Sequence, residues 1–169
     1  MTVTGSPGVW VGVDVGSVRV GVALADPAGI LATPLRTLAV TTDDALVADL
    51  GAVLDEVGAV GVVVGMPRQL SGAEGSAAER ARLVAGALAQ ARPGCGVFLV
   101  DERLTTVDAH RRLRDSGLAG RRQRAVVDQA AAVLILQGAL DHLAAQGTPG
   151  GEQIFPPGGQ RTRRTKDRR

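Results

Sequence analysis

Between residues 9 and 40 three stretches alternate with period two, and the links joining them are too short to carry a chain across a sheet. Val9-Trp10-Val11-Gly12-Val13-Asp14-Val15 is the first, and residues 18–25 the second, with Val18, Val20, Val22 and Leu24 on one face. Ile30 to Val40 is the third. The second link, Asp26-Pro27-Ala28-Gly29, has the chemistry of a turn: Asp opens it, Pro fixes φ and Gly leaves it. Strands joined this way must form an antiparallel meander.

The period then changes to 3.6. Thr41 or Thr42 caps a helix whose first turn holds Asp43 and Asp44, favourable at the positive end of the dipole. Leu46, Val47, Leu50, Val53, Leu54 and Val57 form one apolar stripe, and Gly58 ends it. Val60 to Val64 is short, apolar and β-branched, as expected of a strand buried on both faces. Ser76 with Glu79 reads as a capping box opening a second helix that stops before Pro93-Gly94. Val97 to Val100 is the last strand expected, followed by helices over roughly 106–116 and 125–145. Strands linked through helices run parallel with right-handed crossovers. The order βββαβαβαα therefore predicts an α/β fold: a mixed five-stranded sheet, antiparallel meander plus two parallel strands, flanked by helices.

A chain of 169 residues that is 45% hydrophobic has material for one domain with a sizeable core. The expected layout is a disordered N-terminus over 1–8, the folded domain over 9–146, and a disordered Gly-, Pro- and Arg-rich basic tail over 147–169. One cysteine, Cys95, allows no internal disulfide and no cysteine-based zinc site, and His110 and His142 make no histidine metal cluster by themselves. Apolar runs fall far short of a membrane span, and residues 1–8 lack the pattern of a signal peptide. The expectation is a cytoplasmic protein with no membrane partner.

Residues 149–169 carry six basic and two acidic side chains, so the net charge of +2 belongs to the tail and leaves the rest slightly acidic. Local charge is more informative: from Arg111 to Arg124 there are six arginines and one acid, Asp115. Such a cluster faces phosphates or forms a solvated helix face. Trp10, Phe98 and Phe155 are the only aromatics, so bases have little to stack on. A nucleic acid would be gripped by its backbone and shape.

Three acids stand in unusual surroundings. Asp14 lies inside the first strand, where a charge is costly unless paired or metal-bound. Asp101 and Glu102 follow directly on the last strand's apolar run. Asp128 opens an otherwise apolar helix and, at steps of four and three, shares a stripe with Ala132, Ile135 and Ala139. Each has a plain structural alternative: Asp14 a turn cap at Gly16-Ser17, Asp128 a helix-dipole partner, Asp101-Glu102-Arg103 a surface ion pair. Together, three such acids near one sheet edge call for a cation. Oxygen-only ligation suits Mg²⁺ or Mn²⁺ rather than zinc, and two such ions can cleave a phosphodiester. Gly12, Gly16 and Gly21 surround Asp14, allowing either close approach of a phosphate chain or tight packing. Arg19 and Arg103 lie beside two of the acids, to orient phosphate or to pair with them.

These residues resemble the YqgF/RuvX-type nucleases of bacteria. Val13-Asp14-Val15-Gly16-Ser17-Val18-Arg19-Val20-Gly21-Val22-Ala23 is similar to that family's opening motif, and Val64-Gly65-Met66-Pro67 to its Val-Gly-Leu-Pro segment. Asp101-Glu102-Arg103-Leu104-Thr105-Thr106 matches its Asp-Glu-Arg-Leu-Thr-Thr block. Asp128-Gln129-Ala130-Ala131-Ala132 with Ile135-Leu136-Gln137 matches its last helix. The likeness covers about residues 9–143, with Met66 in place of leucine, a different arginine-rich stretch before Asp128, and the tail outside it. It implies a ribonuclease H-like fold, with Asp14, Glu102 and Asp128 as catalytic metal ligands. It implies processing of the 5′ end of precursor 16S ribosomal RNA, on free RNA or a ribosomal subunit precursor. Substrate contacts are expected from Arg19, Arg103, Arg111, Arg112, Arg122 and Arg124.

Three rivals remain. A Holliday-junction resolvase would use the same acids on branched DNA, normally as a homodimer, and the sequence leaves monomer or homodimer open. An ATP-binding protein of the actin and sugar-kinase class needs two closing domains, for which the chain is too short. A non-catalytic ribosome-assembly or transcription factor is disfavoured by acids that repel phosphate without a metal.

Overall fold

Each alternating stretch forms a strand: β1 (Val9–Val15), β2 (Arg19–Ala25) and β3 (Ala32–Ala39). The computed structural model describes residues 8–67, 75–102 and 121–158, with 121–126 by backbone alone. The meander is antiparallel throughout, with Val13 opposite Val22 and Asp14 opposite Gly21. In the β2–β3 turn, Gly29 (φ 70°) donates to the Asp26 carbonyl at 2.9 Å. The Asp26 carboxylate accepts from Leu31 N–H at 3.0 Å and Ile30 N–H at 2.6 Å, and these bonds hold its pKa below the ordinary value.

Helix α1 (Asp43–Val57) is capped by Thr42, whose hydroxyl accepts from Ala45 N–H at 3.1 Å, and closed by Gly58 at φ 62°. β4 (Ala59–Met66) then runs parallel to β1. α2 (Ser76–Ala91) leads to β5 (Gly96–Asp101), parallel to β4, and α3 (Arg121–Gln146) follows. With β6 (Glu152–Ile154) after α3, the sheet order is β3-β2-β1-β4-β5-β6, mixed and flanked by helices as expected.

Two details differ. Among the described residues the sheet has six strands, not five: β6 pairs antiparallel with β5, inside the segment whose composition reads as a disordered tail. Gly151 explains the return. It has φ 71°, and a Cβ there would lie 1.9 Å from the Leu99 carbonyl oxygen, so only glycine lets the chain come alongside β5. Glu152 then meets Arg82 of α2 at 2.9 Å. The Ser76–Glu79 capping box does not form either. Gly75 occupies the cap position without a side-chain bond, and Ser76 is already the first helical residue. The helix expected over 106–116 lies outside the described residues.

Alternation sorts each strand between two layers. Val11, Val13, Val15, Val20, Val22, Val62 and Val64 pack beneath α1 and α2 with Leu46, Leu50, Val84 and Leu88. Trp10, Ala23, Val63 and Phe98 pack beneath α3 with Ala131, Ala132, Ile135 and Leu136. Each fully buried Val or Leu contributes roughly 1.5–3 kcal/mol. Among the described residues no helix is long and apolar enough to cross a membrane.

Candidate active site

The period-two pattern places Asp14 on the α3 side of β1, two residues beyond Gly12 and four beyond Trp10. It stands at the carboxyl end of β1 and is 1% exposed. Arg19 opens β2, which runs the other way, so it arrives at the same edge and on the same face. Glu102 follows directly on β5 and is 3% exposed. Its Oε1 lies 2.5 Å from where a Cβ on Gly65 would stand, so the carboxylate rests over bare backbone of β4.

Asp128 comes from α3 and is 2% exposed, in line with the buried Ala132, Ile135 and Ala139. Glycines decide how near it comes. A Cβ on Gly21 would lie 2.0 Å from the Asp128 carbonyl oxygen, and one on Gly12 would lie 2.6 Å from Leu136 Cβ. Gly21 is the cross-strand partner of Asp14. Helix backbone therefore touches strand backbone beside Asp14, as the packing alternative for these glycines expects. Gln137 helps fix α3, accepting from Ala32 N–H at 2.9 Å and donating to the Ile30 carbonyl at 2.8 Å. Gln129 donates to the Thr37 hydroxyl at 2.9 Å.

Asp14, Glu102 and Asp128 are thus buried on one face, at the carboxyl ends of parallel strands where α/β sheets take ligands. Arg19 Nε donates to Asp128 Oδ2 at 3.2 Å. Three buried carboxylates need cationic compensation. Their oxygens suit a hard divalent ion. Among the described residues, no three His, Cys, Asp or Glu side chains are gathered closely enough to cage an ion by themselves. Mg²⁺ rarely needs such a cage: it keeps water and binds through one or two carboxylates plus substrate phosphate. The donor set fits such an ion on its chemistry.

Arg103, Arg111 and Arg112 lie outside the described residues, while Arg122 and Arg124 fall on α3 before Asp128. Asp101, half-buried, shares the opposite face of β5 with Val97 and Leu99. One residue escaped the sequence reading. Arg80 of α2 donates to the Gly16 carbonyl and, through Nε and Nη2, to Asp43 Oδ1 at 3.2 Å. It ties the turn between Asp14 and Arg19 to the start of α1. No local signal marks it, because both partners are distant in sequence. Cys95 is remote, beside a cavity of about 260 Å³ that Leu54, Asp55 and Arg92 help line. Burial pushes its thiol up to about 11, which disfavours the thiolate at neutral pH.

The RuvX family model, described as Holliday junction resolvase, matches residues 8–142. A protein of Kineococcus radiotolerans is 49% identical over 158 residues, covering 93% of this chain and 84% of the relative. One from a Nocardioides species is 51% identical over 152 residues, covering 87% and 96%. Both bear the name "Putative pre-16S rRNA nuclease". Among solved structures, Thermus thermophilus RuvC in complex with Holliday junction substrate aligns over 83% of this chain and 98% of its own, with TM-score 0.53 and 18% identity. That likeness shows the fold, ribonuclease H-like as the sequence motifs imply.

Proposed function

The chain belongs to the RuvX family, and on that premise we propose a metal-dependent nuclease that matures the 5′ end of precursor 16S ribosomal RNA in the cytoplasm. The observation that carries this is the burial of Asp14, Glu102 and Asp128 on one sheet face at one edge. The substrate class is supported by the names of relatives at about half identity.

Asp14, Glu102 and Asp128 would hold Mg²⁺ or Mn²⁺. Such an ion, when bound, supplies the charge that activates the attacking water and steadies the leaving oxygen. The carboxylates would fix its position because each sits on a packed element: β1, the end of β5, and a helix pinned through Gln129 and Gln137. Arg19 and Arg103 orient the scissile phosphate, while Arg111, Arg112, Arg122 and Arg124 grip the backbone nearby. The chemistry belongs to residues 9–146.

The family's description favours a second reading, resolution of four-way DNA junctions, for which a two-fold dimer is the expected form. Purified protein with Mg²⁺ or Mn²⁺ is given labelled RNA spanning the precursor 5′ junction, and a synthetic four-way DNA junction. RNA cutting that needs metal and falls at least about a hundredfold in Asp14→Asn is the expected result. Junction cutting with RNA spared would transfer the function to the resolvase reading. Cutting of neither would overturn both as activities of the isolated chain.

A further inference from the structure

We propose that Arg19 is the counter-charge that Asp128 gives up when a divalent cation enters, so this guanidinium sets how tightly the carboxylates take metal. The inference rests on the metal-dependent reading above and adds a control residue to the same site.

The pair is lopsided. Asp128's side chain is 3% exposed and Arg19's is 22% exposed, with Nε 3.2 Å from Oδ2. The carboxylate is fixed within α3's packed stripe, whereas the guanidinium is partly exposed and can swing toward water when another cation takes its place. Arginine does not lose its proton in proteins, so the charge beside Asp128 leaves only by displacement. The backbone beneath is anchored: Gly16 N–H donates to the Arg19 carbonyl at 3.0 Å, Val40 N–H to the Val18 carbonyl at 2.9 Å, and Arg80 holds Gly16. Displacement is therefore confined to the side chain.

Two consequences follow from the geometry. A positive charge beside Asp128 opposes a second cation there. The contact engages Nε, one of the guanidinium N–H donors that also suit a phosphate, so carboxylate and phosphate compete for the same planar group. A phosphodiester that draws Arg19 away removes this positive charge from Asp128 and so favours metal there. Metal and polynucleotide then strengthen each other's binding, reciprocally.

The test is Mn²⁺ titration by calorimetry on the full chain without nucleic acid. Arg19→Gln should bind Mn²⁺ about tenfold more tightly than wild type, the size expected when one near charge is removed at a partly solvated site. Its melting temperature should be lower without metal and rise further on adding it. Arg19→Lys, which keeps the charge, should stay within about threefold of wild type. Equal or weaker Mn²⁺ binding by Arg19→Gln overturns the proposal. In the wild-type protein the Arg19 Nε–H resonance should shift during Mg²⁺ titration with the midpoint of metal binding. An unmoved resonance also overturns it, whether or not the variants fold. Asp14→Asn separates the two levels: normal Mn²⁺ binding by that variant removes the carboxylate site itself, whereas its loss leaves the Arg19 result to be judged alone.

Discussion

Beneath α1 and α2, β1 and β2 present Val11, Val13, Val15, Val20 and Val22; beneath α3 the same strands present Trp10, Gly12, Asp14, Arg19, Gly21 and Ala23. On the first face branched aliphatics interdigitate with helix leucines, and the stabilisation comes from side chains filling space. On the second, side chains are withheld where α3 crosses, at Gly12 and Gly21, so the helix backbone reaches the sheet. Closeness of backbones is what carries Asp128 to Asp14's neighbour strand and shuts three carboxylates away from water. A valine-lined face would hold α3 further out and leave those acids to solvent. The chemistry sits on the face that gives up packing volume.

The contrast can be broken by substitution. The largest effect is expected from Gly21→Ala, whose new Cβ would stand 2.0 Å from the Asp128 carbonyl oxygen. It must push α3 outward, costing about 3 kcal/mol or more in chemical denaturation, with cleavage lost alongside. Wild-type stability and activity in that variant would end the close-approach account. Val13→Ala, on the aliphatic face, should lose about 2 kcal/mol while leaving cleavage per folded molecule near wild type. A large activity defect there would show that the faces are not separable. Thr42→Ala, at the cap of α1, should cost about 1 kcal/mol, again without touching turnover, and urea midpoints would measure it. The smallest effect has the opposite sign. A Cβ on Gly86 of α2 would meet no neighbouring element within 4 Å, so Gly86→Ala should raise stability by about 0.5–1 kcal/mol. A loss instead would mean that α2's glycine, like those under α3, serves a close contact.

Much of this is legible in the sequence. The meander follows from short links between alternating stretches, and the parallel strands from helices between them. Asp128 turns inward because steps of four and three set it in line with Ala132, Ile135 and Ala139. The capping box is misplaced by one residue, since Gly75 and Ser76 are both acceptable helix starts and composition does not choose between them. β6 is unreadable for a different reason. Glycine and proline signal irregular backbone, but the strand exists because β5 offers an edge and Gly151 fits against Leu99.

The sequence by itself determined periods, turns and which face of each element is apolar, because those depend on residues a few positions apart. Only the tertiary structure decided that Arg19 pairs with Asp128, 109 positions away, and that Arg80 reaches back to Gly16. It also decided that Gly21 and Gly65 lie under Asp128 and Glu102. A side chain's charge is written in the chain, but its partner is set by how two faces close, and that closure is made by contacts no local pattern contains.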